Sequence, residues 1–206
     1  MSYEQEFHEM LRFLSLQDTQ EMTLLDVGCG TGATLLYASK TFKKIYAVDI
    51  SEPMLEQAQQ AIGKEHGNIC FVRSGFLSYH HRGEPVDVVI TKAALHHLPD
   101  FWKQIALFNM NSMLKIGGIL YIFDVVFHFH PSEYREKIRT WIQEFERKAG
   151  KQFTQEVETH IRDEYSTFTW ILEGMLHKAE FDIKQMRTHD GFLTEYHCIK
   201  TGDLER

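Results

Sequence analysis

Residues 24–32 read LLDVGCGTG: an apolar run closes around Asp26, and glycines follow at every second position, Gly28, Gly30 and Gly32. With Thr23 in front, TLLDV (23–27) has the length and composition of a strand, and the glycines make the turn that follows it. Such a turn, between a strand and a helix, lets backbone N–H groups approach a ligand closely. In an open α/β sheet it lies at the carboxyl end of the strands, where nucleotide-like ligands bind. The next strand, in AVDIS, ends on Asp49, about 20 positions after the loop and suited to accept hydrogen bonds from ribose hydroxyls. Loop and acid together point to a ligand containing adenosine.

Asp26 narrows the choice between a nicotinamide dinucleotide and S-adenosylmethionine. A pyrophosphate favours bare N–H groups, and a carboxylate beside the loop repels it unless a cation compensates; LLDVGCGTG contains no lysine or arginine. A ligand bearing a sulfonium and an ammonium group gains from the same carboxylate. The spacing agrees, being GxGxG where the dinucleotide fingerprint is GxGxxG.

The 206 residues, 43% of them hydrophobic, suffice for one sizeable core, so a single domain spanning 1–206 is expected. Three scattered cysteines, Cys29, Cys70 and Cys198, suit a reducing compartment, and Cys29 reads as a small packed residue. The opening MSYEQEFHEM is too polar for a signal peptide, and the longest apolar stretch, GGILYIFDVVF, is short and interrupted by Asp124. A soluble, cytoplasmic protein is expected. The net charge of −7, with no basic block, argues against a large nucleic-acid surface and favours a small-molecule partner.

Strand-like runs at 23–27, 44–48, 69–72, 86–91 and 119–126 are separated by helix-length segments, which is βαβ grammar. Met54, Leu55, Ala58, Ala61 and Ile62 form a helix stripe behind Ser51 as N-cap and Pro53 in the first turn. Tyr134, Ile138, Trp141, Ile142 and Phe145 mark a second helix ended by Gly150. Phe168, Ile171, Leu172, Met175 and Ala179 mark a third, capped near Ser166 and Thr167. FDIKQMRTH and FLTEYHCIK form a hairpin around Asp190 and Gly191. These readings divide the chain into an N-terminal helix that serves as a lid (1–20), a cofactor-binding core (21–128), a helical cap (130–180) and a C-terminal hairpin (181–200).

Through LLDVGCGTG, YAVDIS, VDVVITKAALHHLPD and LKIGGILYIFD, in that order, the chain resembles the class I S-adenosylmethionine-dependent methyltransferases. The resemblance is strong over about residues 20–125 and weaker through GMLHKAEFDI. It implies an α/β, Rossmann-like sheet of seven mostly parallel strands in the order 3-2-1-4-5-7-6, strand 7 antiparallel, with a helical insertion between strands 5 and 6. It also implies S-adenosylmethionine as cofactor and S-adenosylhomocysteine as product. Carried over by position, Asp26, Gly28 and Gly30 contact the methionine end, Asp49 the ribose and Ile50 the adenine face; Thr91 and Lys92 line the methionine side. Where the family usually has an acid against the adenine amine, this chain offers Ser74, Gly75 and the backbone at Phe76. Ile116 replaces the proline of the usual KPGG turn. With 25 residues ahead of Asp26, the N-terminal lid is expected to be partial, built on Tyr3 and Phe7.

His96 matches the general base of plant-type phenolic O-methyltransferases, and an imidazole can accept a hydroxyl proton at neutral pH. His97, Arg162 and Tyr165 are the candidate substrate contacts, Arg162 through a two-point bond to a carboxylate. Tyr134, Trp141, Phe145, Tyr165, Phe168 and Trp170 are expected to roof the acceptor pocket. His80 with His81, and His128 with His130, offer no third ligand, so no metal is expected. The expected activity is methyl transfer to oxygen or nitrogen of a small molecule. An RNA-modifying methyltransferase and a non-catalytic S-adenosylmethionine-binding protein are the alternatives.

Overall fold

The computed structural model describes residues 2–63, 67–149, 158 and 161–204. Its sheet is built from β1 (Thr23–Val27), β2 (Lys44–Asp49), β3 (Ile69–Arg73), β4 (Val86–Lys92), β5 (Leu114–Phe127), β7 (Phe181–His189) and β8 (Leu193–Lys200), in the order β3-β2-β1-β4-β5-β8-β7. A two-residue strand, β6 (Thr167–Phe168), pairs with the end of β5 through Val126 and Phe127. With β6 set aside, this is the expected seven-strand order. The pairs among β1 to β5 are parallel, and β8 runs antiparallel to both neighbours.

The central strands are buried on both faces, so neighbouring residues serve different cores. Leu24, Val88, Ile90 and Tyr121 face a core with Phe7, Met10 and Phe13 of α1 (Tyr3–Phe13), Leu35 and Ala38 of α2 (Leu35–Ala38), and Ile62 of α3 (Glu52–Ile62). Leu25, Val89, Leu120 and Ile122 face the other, with Leu107 and Met110 of α4 (Asp100–Met113) and Leu172 and Leu176 of α6 (Thr169–Lys178). A further helix, α5 (Tyr134–Ala149), follows β5.

Several expectations are corrected. β5 begins at Leu114 rather than 119, because Leu114 pairs with Val86 before a register shift that leaves residues 115–117 exposed. Ile116 sits in that bulge, 60% exposed. In α3 only Leu55, Ala58 and Ile62 of the expected stripe are buried, and Ser51 holds the N-cap position without a side-chain capping bond. Thr167 is a strand residue bonded to Asp100 rather than a cap; the N-cap of α6 is Phe168. Gly150 lies outside the described residues. The hairpin turn matches its expectation, with Asp190 and Gly191 both at positive φ, 54° and 80°, as a type I′ turn demands.

α1 is anchored by a Ser2–Gln5 capping box, but its role as a lid is not what the packing shows. Phe7 is buried and stacks on Tyr37, while Tyr3 borders a separate shallow groove. Glu6 reaches towards the site, 3.5 Å from the Lys92 ammonium. Among the described residues, no helix is long and apolar enough to cross a membrane.

Candidate active site

A cavity of about 680 Å³ opens at the carboxyl ends of β1, β2 and β4. Of the residues assigned to the cofactor from sequence, Asp26, Gly28, Gly30, Asp49, Ile50, Gly75, Phe76 and Lys92 line it, and so does His97.

The glycine loop is bare for steric reasons. Gly28 has φ +79°, and a Cβ there would lie 2.5 Å from the Ala94 Cβ, whereas a Cβ on Gly30 would meet nothing within 4 Å. Thus Gly28 admits the β4 turn, and Gly30 leaves open space for a ligand. The loop is fastened to β2 by the N–H groups of Gly28 and Cys29, which donate to the Val48 carbonyl. Asp49 completes the link, since its two carboxylate oxygens accept from the N–H of Gly30 and of Ser51, each at 2.8 Å. The acid at the end of β2 therefore presents an oriented carboxylate to the cavity.

Asp26 is 3% exposed, and burial pushes its carboxyl up to about 7; Lys92 opposes that rise and Asp49 adds to it. An acid in this state is held for a positively charged partner, because a bound cation would restore its ionisation. Ile50, 73% exposed, and Phe76 supply apolar walls. Cys29 is packed against the core that contains Leu24 and α1, and burial drives its thiol upward, which leaves it protonated.

Five sequence-assigned positions lie elsewhere. Thr91 is fully buried in the sheet, because alternation along β4 turns Lys92, not Thr91, to the cavity. Ser74 bonds Ser78 at 2.9 Å and borders a neighbouring groove; Ser78 lines the cavity in its place and accepts from the Gly75 N–H. Arg162 forks onto Asp163 at 2.8 and 2.7 Å. Tyr165 is 51% exposed and is tied down by its backbone. His96 is 6% exposed and absent from the cavity wall, so the imidazole facing the acceptor side is that of His97. Burial, with His96 as a smaller contribution, lowers the His97 pKa. The expected roof aromatics are also absent from the wall. Phe127, Phe129, Trp141, Phe168 and Phe192 pack on one another instead, with Trp141 stacked on Phe192 at 4.5 Å.

What fixes His96 is Asp124, the acid that interrupts the apolar strand β5. One of its oxygens accepts from the backbone N–H groups of Ala94, Leu95 and His96; the other accepts from His96 Nδ1 at 2.5 Å and from the Val125 N–H. Burial raises the Asp124 pKa, but the His96 bond and charge with these N–H donors outweigh it and hold the carboxyl below its usual range. The 3₁₀ turn Leu95–His97 brings the two imidazoles to 4.2 Å between centroids, where alternation along a strand would send neighbours to opposite faces. Glu164 lies 3.3 Å from His96 Nε2 and 3.8 Å from His97 Nδ1. Sequence reasoning missed Asp124, Glu164, Ser78 and Met54; Met54, assigned to the helix stripe, is 40% exposed and lines the cavity. The other paired histidines make local bonds: His81 to Tyr79 and Glu84, His128 to Thr169, His130 to Ser132.

Comparison with known proteins agrees with this geometry. Residues 24–118 match the family model described as methyltransferase domain. An uncharacterized methyltransferase of Anoxybacillus flavithermus is 29% identical over 104 residues, 50% of this chain and 47% of that one, so the aligned part spans about half the relative's length. One from Geobacillus kaustophilus is 25% identical over 184 residues, covering 87% of this chain and 80% of its own. Among solved structures, a putative methyltransferase from Bacillus halodurans superposes with a TM-score of 0.71 at 16% identity, covering 96% of this chain and 100% of that one. The N-methyltransferase NodS of Bradyrhizobium japonicum, in complex with S-adenosylhomocysteine, gives 0.67 at 17%, covering 96% and 87%. At such identities the likeness is one of fold. With the glycine loop and the two acids in place, residues 24–118 match a methyltransferase domain, and the chain as a whole shares the fold of the solved methyltransferases.

Proposed function

We propose that this chain transfers the methyl group of S-adenosylmethionine to an oxygen or nitrogen of a small-molecule acceptor. The observation that carries the reading is the buried Asp26 beside the oriented Asp49 in one otherwise largely apolar cavity. Their chemistry fits the two polar ends of the cofactor: Asp26 faces its cationic methionine part and Asp49 accepts from its ribose hydroxyls. Ile50, Met54 and Phe76 provide the apolar contact that an adenine ring requires.

When bound, the cofactor supplies a methyl carbon already activated by a sulfonium, so the protein's task is alignment and exclusion of water. Asp26 and the glycine loop hold the methionine end, while Ala93, Ala94, His97 and Leu98 leave room for the acceptor at the end of β4. His96, bonded to Asp124 and turned away from the wall, serves to position the turn that carries His97.

The first test is thermal-shift titration with S-adenosylmethionine, S-adenosylhomocysteine and NAD; stabilisation is expected from the first two, by mass action on the native state. A preference for NAD overturns the reading. A metabolite screen that reads S-adenosylhomocysteine release then identifies the acceptor, and turnover confined to RNA would replace the small-molecule class.

A further inference from the structure

His96, His97 and Glu164 each bring one donor atom to within 4.8 Å of the others, and of the three His97 lines the cavity. We propose that these three side chains bind a divalent first-row transition cation, a site additional to the cofactor contacts.

The tautomer of His96 is the starting point. Asp124 already accepts four backbone N–H bonds, so it is an acceptor towards the ring as well, and the short bond to His96 Nδ1 places a proton on that nitrogen. The second ring nitrogen, Nε2, faces a Glu164 oxygen at 3.3 Å. A carboxylate behind a histidine is also the arrangement that fixes the ring of a metal ligand and raises its basicity.

The donor set is chemically coherent. Two imidazole nitrogens and a carboxylate oxygen suit zinc and its first-row neighbours, and magnesium much less. Metal–donor distances of about 2.0–2.2 Å put adjacent donors roughly 3 to 3.5 Å apart, which the His96–Glu164 separation already meets. His97 Nδ1 lies 3.8 Å from the other Glu164 oxygen and the three donor atoms spread over as much as 4.8 Å, so His97, whose side chain is exposed enough to turn, swings inward to close the set.

Glu164 is presented by a built segment. The next residue, Tyr165, donates its N–H to the His96 carbonyl at 2.9 Å and accepts at its own carbonyl from the buried Lys103 ammonium, and Thr167 then enters β6 against β5. Since His97 also lines the cavity, the open positions of the cation would face the acceptor. Resting on the methyl-transfer reading, this selects an acceptor with a ligating oxygen. A coordinated hydroxyl releases its proton to water, its oxygen bonds the methyl carbon as the carbon–sulfur bond breaks, and the electron pair leaves on sulfur.

The test uses untagged full-length protein stripped with a chelator and titrated with Co²⁺, Zn²⁺ and Mg²⁺ without S-adenosylmethionine, read by calorimetry and by the Co²⁺ visible spectrum. One equivalent of Zn²⁺ or Co²⁺ is expected to bind more tightly than Mg²⁺, and at least tenfold more weakly in Glu164→Gln and in His97→Ala. Unfolding curves verify that both variants fold. Absence of saturable binding, or equal affinity in both folded variants, overturns the site. A separate S-adenosylmethionine titration of the stripped protein keeps the readings apart: its failure with metal binding intact overturns methyl transfer and leaves the cation site standing.

Discussion

Replacing Asp26 with asparagine sets folding stability against ligand binding. In the native state burial holds this carboxyl at about 7, against 3.8 as the ordinary value. Because the folded pKa is the higher one, the native state keeps a proton between these limits that the unfolded chain has released. The associated stability is fully present below 3.8 and is lost as pH rises to about 7, at about 1.4 kcal/mol per pH unit. Between pH 5 and 8 the native protein should lose about 2 to 3 kcal/mol from this group alone, a loss Asp26→Asn escapes. Urea unfolding of both proteins at pH 5, 6, 7 and 8 checks this: the stability of the variant minus that of the native protein should climb by that amount and level off above 7. The opposite should hold for binding, where losing a charge-assisted bond of about 1.5–3 kcal/mol weakens S-adenosylmethionine affinity by roughly 10- to 100-fold at pH 8. A stability difference that stays constant with pH would refute the burial argument, and unchanged affinity would refute the assigned contact.

Asp49→Ala should weaken S-adenosylmethionine binding by roughly one to two orders of magnitude in calorimetry, and it also frees the Gly30 and Ser51 N–H groups. Gly28→Ala should both destabilise, by about 1–3 kcal/mol in urea unfolding, and impair binding, since the added Cβ meets Ala94 at 2.5 Å from a backbone at φ +79°. Asp124→Ala should lower stability by about 3–5 kcal/mol, because it strands a buried imidazole and four N–H groups; a melting temperature within a few degrees of native would contradict that network.

The cofactor half was legible because its signals are local. β1 is bounded by its own glycine loop, Asp49 by the end of its strand, and the hairpin by Asp190–Gly191. β5 was shortened in the sequence reading because the residues around Gly117 leave the ladder before Leu114 rejoins it. Asp124 stood out as a charge in an apolar strand, yet its purpose depends on groups 28 to 30 positions away. The convergence of His96 and His97 was hidden because strand alternation sends neighbours apart, and the 3₁₀ turn reverses that rule. Glu164 was unreadable for a similar reason, since its approach depends on the chain returning from the cap to pair with β5.

The unequal packing of the two halves separates what can drift from what is fixed. From Tyr134 to Arg147, α5 contributes no fully buried side chain, whereas β1 and β4 are sealed between two cores. Amide hydrogens in β1 and β4 should exchange with solvent only through global unfolding, and those of α5 through local opening. Exposed-helix substitutions draw on little of the folding free energy. The sequence of α5 can therefore drift by steps that leave the glycine loop, both acids and the strands beneath them intact.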